Sequence, residues 1–239
     1  MALDLSDLTG NGNTLTGNGG TEWTATLPFP ASTAAVSLIS VNQEWFYAVG
    51  SPTLDINPAI TIELWILRDT IDAQMDLVSK WLAETNQRSY RFWISSDNKL
   101  NFSFSTNGTN TFTATSTGTV TSTTNWTHVA IRRITSDDTV EFVINGTGEG
   151  PIAAGAGILF SSNSRLGLGG RDQGSGVPAT SFNGKLDEIR LWSVTRTVTQ
   201  INDNKSVEVD PETAGLNAYY QLDGAIEQQP GSFLGFLDE

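Results

Sequence analysis

Hydrophobic and polar residues alternate along most of the chain, a pattern typical of β-strands that bury one face. The segment LNFSFS (100–105) alternates strictly and places Leu100, Phe102 and Phe104 on the same face. The same period recurs in ITIELWI (60–66), THVAIRRI (127–134) and TVEFVING (139–146). Runs of Gly, Asn, Asp and Ser separate these segments and favour turns. The pattern therefore predicts an all-β fold of two packed antiparallel sheets.

Helical periodicity is confined to one short segment, near residues 195–205. No proline-rich linker and no abrupt change of composition interrupts the chain before about residue 224. We therefore expect a single domain over residues 1–224, followed by a tail or a connection over residues 225–239. A length of 239 residues suits one β-sandwich domain.

Composition and charge exclude several classes of function. The chain carries 13 Lys and Arg against 26 Asp and Glu, a formal net charge of −13, so nucleic acid is not an expected partner. It has no cysteine, which excludes disulfides and thiol catalysis. No run approaches the roughly 18 apolar residues of a membrane span, and no secretion signal follows Met1. We expect no membrane insertion.

An ordered series of segments resembles the laminin G-like members of the concanavalin A-like lectin/glucanase superfamily. The segments are DLTGNGNTLTG (7–17), AITIELWI (59–66), LVSKW (77–81), NWTHVAI (125–131), VEFVING (140–146), RLGLGG (165–170), FNGKLDEIRLWSVTRTVTQI (182–201) and AYYQLD (218–223). The resemblance implies a two-sheet antiparallel jelly-roll sandwich over residues 1–223. It leaves the function open, because that superfamily includes lectins, adhesion modules, glycosidases and virion proteins.

Catalytic residues are scarce, and we expect no enzyme. His128 is the only histidine, so it alone could serve a Ser/His/Asp triad. Laminarinase-type relatives carry alternating carboxylates on one strand, and Glu208, Asp210 and Glu212 have that spacing. Pro211 interrupts the segment, however, and a central strand does not readily contain proline. We interpret this segment as a chance match in a surface loop.

A candidate ligand-binding set consists of two tryptophans with charged neighbours. Trp65 lies beside Glu63 on the strand face opposite the core residues, and Trp93 lies similarly beside Arg91. If both strands belong to one sheet, its outer face would present aromatic rings flanked by charges, on which sugars stack. The alternative is that loops or the other sheet cover these rings.

Asp187 raises a separate question. Strict alternation in FNGKLDEIRLW (182–192) places Asp187 on the core-facing side with Ile189 and Leu191, and an unpaired buried carboxylate is costly. The resemblance implies a structural Ca²⁺ at this aspartate, completed by oxygens of the opening loop. The alternative is that Asp187 accepts hydrogen bonds from the amides of that loop, without a metal. The loop residues proposed as further calcium ligands are Asp7, Asn11 and Asn13.

These observations favour a non-catalytic surface recognition module that binds a glycan or a surface protein. We expect it to belong to a larger extracellular or virion assembly, in cell adhesion or at a virion surface. A virion structural protein, such as a capsid decoration or a tail-fibre domain that contacts other virion subunits, is the alternative. A glycoside hydrolase is the third and least favoured hypothesis.

Overall fold

The computed structural model describes residues 5–30 and 32–223. In this part of the chain it contains one α-helix, α1 (Val198–Asn204), and sixteen strands. The strands are β1 (Thr16–Asn18), β2 (Glu22–Thr24), β3 (Ala35–Leu38), β4 (Trp45–Ala48), β5 (Thr61–Arg68), β6 (Met75–Leu82), β7 (Gln87–Ile94), β8 (Lys99–Gly108), β9 (Thr111–Thr119), β10 (Thr127–Ile134), β11 (Thr139–Ile144), β12 (Thr147–Gly148), β13 (Ile152–Ala153), β14 (Leu166–Leu168), β15 (Gly184–Trp192) and β16 (Leu216–Tyr220).

The strands form two antiparallel sheets. The seven-stranded sheet has the order β1-β4-β14-β6-β7-β8-β9. The nine-stranded sheet has the order β12-β11-β10-β5-β15-β3-β2, with β13 paired to β11 and β16 paired to β15. The predicted fold class, an all-β jelly-roll sandwich with one short helix, is confirmed. The predicted tail, residues 225–239, lies outside the described residues.

The core fills the space between the two sheets. Alternate residues of each strand point into it, as Ile62 and Leu64 do from β5 and Phe102 from β8, all fully buried. Contacts run across the sandwich, since the rings of Phe92 in β7 and Phe142 in β11 stack with centroids 6.5 Å apart. The predicted alternation of apolar residues therefore marks the inner faces of both sheets.

Strand β15 contains a β-bulge at Glu188. In the pairing with β5, Asp187 lies opposite Trp65 and Arg190 lies opposite Glu63, so three steps on β15 match two on β5. Glu188 has a positive φ of 52°, a backbone conformation that costs a non-glycine residue about 1–2 kcal/mol. The extra residue changes which side chains of β15 face the core.

The bulge overturns the predicted orientation of Asp187. Leu186, Ile189 and Leu191 all belong to the core, whereas Asp187 pairs with the outward-facing Trp65. Strict alternation therefore gave the wrong face for Asp187, because the residue inserted at the bulge shifts the period between Leu186 and Ile189. Asp187 is nevertheless fully buried, since the chain before β3 covers this part of the outer face.

Helix α1 packs on the outer face of the nine-stranded sheet. Thr197 begins the helix with a capping box, in which its hydroxyl accepts from the amide of Gln200 and the Gln200 side chain accepts in return. Ile201 is buried against Ala130 of β10 and Val143 of β11. This small second cluster fixes the helix over the sheet.

Candidate functional site

The outer face of the seven-stranded sheet carries a continuous row of polar, small and aromatic side chains. Strand registers place one residue of each of six neighbouring strands at the same level. These residues are Tyr47, Gly167, Ser79, Arg91, Ser103 and Thr113. A second row beside it contains Asp76, Trp93, Asn101 and Thr115. Their strand neighbours point inward, so both rows face away from the core.

Trp93 is the aromatic centre of these rows. The guanidinium carbon of Arg91 lies 4.4 Å from the centroid of its ring, in cation–π geometry. The indole Nε1 donates a hydrogen bond of 3.1 Å to the hydroxyl of Ser103. Trp93 is half-buried, so part of the ring faces solvent while its orientation is fixed from two sides.

Arg91 is held in place by Asp76. Its Nε donates to one carboxylate oxygen, and its Nη2 donates to the other at 3.0 Å. Asp76 is fully buried and also accepts from the hydroxyl of Thr180. Such a bidentate pair orients the guanidinium rigidly. The Nε of Arg171 lies 3.9 Å from the same carboxylate, so two arginines share one buried acid.

Hydroxyl and amide groups continue the surface towards β9. The hydroxyls of Ser103 and Thr113 are 2.9 Å apart, and Thr115 donates to the side-chain oxygen of Asn101 at 2.7 Å. Thr113 and Thr115 are exposed, whereas Ser103 and Asn101 lie beneath them. Exposed hydroxyls of this kind can exchange hydrogen bonds with the hydroxyls of a ligand.

The loop between β14 and β15 covers the other half of the sheet. Ser79 donates to the carbonyl of Gly170 at 3.1 Å, and Arg171 and Ala179 form a bridge within the loop. The open part of the face lies over β7, β8 and β9. We call it the Trp93 surface and define it as Arg91, Trp93, Asn101, Ser103, Thr113 and Thr115.

Glu63 and Trp65 are not part of this surface. Trp65 lies in β5 of the nine-stranded sheet and is 7% exposed, because Phe29 packs 6.1 Å away and its indole donates to the carbonyl of Lys205. The prediction of a single platform made of Trp65 and Trp93 is therefore wrong: the two residues lie in different sheets. For Trp65, the alternative of a covered ring is the correct one.

Glu63 belongs to a buried ionic network under the segment that contains α1. Its Oε1 accepts from the indole of Trp192 at 2.8 Å and lies 3.8 Å from the Nε of Arg196. Burial raises the pKa of Glu63, and the charges of Arg190 and Arg196 oppose that rise. Since Glu63 has no exposed surface, it does not contact a ligand at the surface of this structure.

Arg190 connects the same network to the end of the helix. Its guanidinium donates to the carboxylate of Glu188, to the carbonyl of Asn204 at 2.8 Å and to that of Val207 at 2.7 Å. The Tyr219 hydroxyl donates to Glu188 at 2.6 Å. Asn204 is the last residue of α1, so one buried cation attaches the helix end and the following loop to the sheet.

The candidate catalytic residues of the sequence have no common site. His128 is 2% exposed, and burial, together with the charges of Arg190 and Lys205, lowers its pKa to about 3. It is therefore neutral at pH 7, and its 3.6 Å approach to Glu63 is not an ion pair. Glu208, Asp210 and Glu212 are exposed in the loop between α1 and β16, which has no strand geometry.

Asp187 faces the segment before β3. Its Oδ2 lies 2.7 Å from the hydroxyl of Ser32, which lies 3.0 Å from the carbonyl of Ala34, and its Oδ1 accepts from the amide of Glu188 at 2.9 Å. One hydroxyl hydrogen cannot serve both acceptors. A protonated Asp187 resolves this, donating to Ser32, which donates to Ala34. Burial raises the pKa of Asp187 to about 9, with the hydrogen bond to Ser32 opposing this rise and the carboxylates of Glu188 and Asp223 adding to it, so the side chain is protonated at pH 7.

The opening loop binds its own aspartate by hydrogen bonds. Asp7 accepts from the amides of Thr9, Asn13 and Tyr219, from the Thr9 hydroxyl and from the Asn13 side chain. The Asn11 side chain donates to the carbonyl of Asn217 at 3.0 Å. Each carboxylate oxygen of Asp7 therefore already has donors, and these hydrogen bonds connect the loop to β16.

The four predicted calcium ligands do not converge in the structure. The hydrogen bonds of Asp187 run to Ser32 and to the amide of Glu188. Those of Asp7, Asn11 and Asn13 run within the opening loop, to β16 and, from Asn13, to the hydroxyls of Ser51 and Thr53. Over residues 5–30 and 32–223 there is no group of three or more His, Cys, Asp or Glu side chains placed to hold a metal ion. These residues do not fit a shared calcium site, and calcium binding itself stays an untested prediction.

Sequence reasoning found Trp93 and Arg91 but missed their partners. Asp76, Ser103 and Thr113 join them only through strand pairing between distant segments. One feature of the sequence points to part of this set: the polar positions of LNFSFS, among them Asn101 and Ser103, are expected on the face away from the core, as Trp93 is. Which strand lies beside β7 cannot be derived from alternation alone.

The chain belongs to the concanavalin A-like lectin/glucanases superfamily, whose family model matches residues 42–202. The match contains β4 to β15 and most of α1 and thus covers the whole Trp93 surface. No curated protein matches the sequence significantly. Over the described residues, no helix combines the length and the apolar character that crossing a membrane requires.

Several solved structures share this fold. Domain 4 of AbnA, a GH43 extracellular arabinanase from Geobacillus stearothermophilus solved with arabinotriose, has a TM-score of 0.64 at 17% identity, covering 84% of this chain and 92% of that one. A Bacteroides ovatus protein, provisionally described as carbohydrate-binding, has a TM-score of 0.60 at 24% identity over 75% of this chain. The binding domain of Paraclostridial Mosquitocidal Protein 1 has a TM-score of 0.63 at 15% identity over 84% of this chain. The chain spans 49% and 50% of the length of the latter two.

Proposed function

We propose that the chain is a non-catalytic glycan-binding module and that the sugar binds at the Trp93 surface. The observation that carries the proposal is the half-buried Trp93 ring, oriented by Arg91 and Ser103 on a solvent-facing sheet. Sugar rings stack on aromatic side chains through their C–H faces, and the surrounding polar groups bind their hydroxyls.

Related structures support a binding function of this type. Domain 4 of AbnA was solved with arabinotriose, the Bacteroides ovatus protein is described as carbohydrate-binding, and the mosquitocidal domain is a binding domain. At 15–24% identity these likenesses establish the shared fold, and the ligand of this chain has to come from its own surface.

The test is glycan binding by the wild type and by Trp93→Ala. A glycan array identifies a ligand, with arabinotriose included as a probe, and calorimetry then measures its affinity. Loss of the stacking contact should weaken binding by about 1–3 kcal/mol, roughly 5- to 150-fold in Kd. Trp93→Phe retains an aromatic face and should lose less.

The control is Trp126→Ala, which removes a half-buried tryptophan that lies outside the two rows. Its affinity should equal that of the wild type. Full affinity in a folded Trp93→Ala protein would contradict the proposal, as would an array on which the wild type binds no glycan.

We also propose that this module works within a larger extracellular or virion-surface assembly and presents its ligand surface from there. Two structural relatives support this, because the chain matches only about half of each of them. Purification of the native protein from its source tests the proposal. Recovery with cell-surface or particle proteins is the expected result, and recovery as a free cytosolic monomer would contradict it.

A further inference from the structure

Among residues 5–30 and 32–223, no strand pairs with the outer side of the long strand β9. It contains nine residues, Thr111–Thr119, and ends the seven-stranded sheet. The other terminal strands of the two sheets in the described part of the chain, β1, β2 and β12, contain only two or three residues each. Short edges limit pairing with another chain, so β9 is the edge at which an additional strand could be accommodated.

The sequence of β9 has none of the usual protection of an edge strand. Natural edges commonly carry charged residues, above all lysine, or proline. TFTATSTGT contains neither, and no Asp, Glu, Lys or Arg occurs between Lys99 and Arg132. An uncharged segment of this length is notable in a protein with a net charge of −13. Another strand can therefore approach residues 111–115 without meeting a charged side chain of β9, whereas the carboxylate of Glu149 covers the edge at Thr117 and Gly118.

The hydrogen bonds around β9 show which backbone groups face the edge. The amides of Thr117 and Gly118 both donate to Glu149, at 2.9 and 2.7 Å, and the pairing with β8 is irregular between Thr115 and Thr119. The orientation is therefore taken from β8, where the amide of Leu100 points towards β9 and donates to the hydroxyl of Ser116 at 2.9 Å. Backbone groups of an antiparallel strand alternate between its two sides. Phe102 and Phe104, at even spacings from Leu100, therefore direct their backbone groups at Ala114 and Phe112. Thr111, Thr113 and Thr115 of β9 direct theirs towards the open edge.

The neighbouring strand supports the same assignment. Ser105 is the β8 residue opposite Thr111, and its carbonyl accepts from the amide of Phe160 at 2.8 Å. The pair of Ser105 and Thr111 is thus a pair without mutual hydrogen bonds, which leaves the groups of Thr111 for a strand on the other side.

We propose that β9 pairs antiparallel with β9 of a second copy of this chain. The strand is self-complementary, because threonine occupies every second position from Thr111 to Thr119. With the two-fold axis at Thr113, each Thr111 faces Thr115 of the second copy, and cross-strand Thr–Thr pairs are favourable. The interface has the same patch on both subunits, as a two-fold dimer requires.

The opposite face of β9 fits this register as well. Phe112 is 38% exposed, an unusual state for a large aromatic residue, and Ala114 is 3% exposed. In the proposed register Phe112 of one copy lies opposite Ala114 of the other, so a large side chain meets a small one. About six backbone hydrogen bonds would join the two strands.

The pairing would connect the two seven-stranded sheets into one. The outer faces of both sheets would be continuous across the junction, with Thr113 and Thr115 of each copy next to it. Two ligand surfaces on one rigid face bind a repetitive ligand more tightly than either does alone.

Sedimentation equilibrium of the 239-residue chain tests the dimer. The wild type should change with concentration from a 25.7 kDa species to one of twice that mass. Thr113→Pro removes the central amides, and Thr113→Lys places two like charges together. We expect Thr113→Pro to weaken association by about 30-fold or more, since two hydrogen bonds are lost. Thr147→Lys, on the short edge strand β12, is the matched control and should associate as the wild type does.

Hydrogen exchange supplies a second measurement. The amides of Thr111, Thr113 and Thr115 should become protected as the wild type dimerises and should exchange freely in Thr113→Lys. Circular dichroism checks that each variant is folded. If Thr113→Pro does not fold, the association of Thr113→Lys tests the dimer alone. A wild type that stays monomeric up to about 1 mM, the weak limit of specific association, overturns the proposal. So does a dimer that Thr113→Lys leaves intact.

Discussion

Asp187 shows how a single carboxyl group can be buried without a counter-charge among its hydrogen-bonding partners. Its hydrogen bonds go to the hydroxyl of Ser32 and the backbone amide of Glu188. The charged groups that raise its pKa, the carboxylates of Glu188 and Asp223, are acids as well. A neutral, protonated side chain satisfies every atom in this arrangement. The carboxyl group then acts as a polar crosslink between β15 and the segment before β3.

This assignment predicts a specific dependence of stability on pH. The pKa of Asp187 is about 9 in the folded state against 3.8 in the unfolded chain, so the folded state retains a proton that the unfolded state has lost. The contribution is fully present below pH 3.8 and is lost as the pH rises towards 9. From this group alone, the free energy of unfolding should fall by about 1.4 kcal/mol per pH unit between pH 5 and 8.

Asp187→Asn is the variant that checks it. The amide mimics the protonated acid, donating to Ser32 and accepting from Glu188, and it cannot ionise. Denaturant unfolding from pH 5 to 8 should give a flatter profile than the wild type and at least equal stability at pH 8. If Asp187 instead holds a cation, a chelator will lower the melting temperature of the wild type, and Asp187→Asn will be less stable throughout.

At the level of elements, the helix and its loop are held by charges buried in the sheet. Arg190 carries most of these contacts, because it neutralises Glu188, lies near Glu63 and binds the carbonyls at the end of α1. The motif LDEIRLW thus supplies the arginine that binds the end of α1 and the loop after it.

Removal of this cation should destabilise the fold strongly. Arg190→Ala leaves buried carboxylates without their partner and two carbonyls without a donor, which should cost about 3–5 kcal/mol. Lys185→Ala breaks the half-exposed pair with Asp69 and serves as the control, with an expected loss of about 0–1 kcal/mol. Urea unfolding measures both variants. Equal losses would contradict a special role for Arg190.

The sequence predicted the elements better than their arrangement. LNFSFS and ITIELWI became β8 and β5, and the segment near 195–205 contains α1, because periodicity is a local property. The partner of each strand depends on distant residues, so alternation left open whether Trp65 and Trp93 share a sheet. The bulge at Glu188 was equally hidden, since no glycine marks that position.

For the whole molecule, the proposed glycan binding without catalysis predicts that the exposed carboxylates of the loop before β16 are dispensable. Glu208→Gln, Asp210→Asn and Glu212→Gln together should change neither the melting temperature nor the glycan affinity. These side chains are exposed in a loop, where the one turn contact, from the amide of Glu212 to Asp210, survives in the amide variant. Hydrolysis of a β-glucan that disappears in this triple variant would show that the protein is an enzyme after all.

The opening loop and the last strand lie side by side in this fold. The amide of Leu8 donates to the carbonyl of Tyr219 at 3.0 Å, and Asp7 accepts from the amide of the same residue. A domain whose two ends meet can be inserted into a surface loop of a host protein without stretching it. Inserted in that way, such a domain would project sideways from the host and add almost nothing to the host's length.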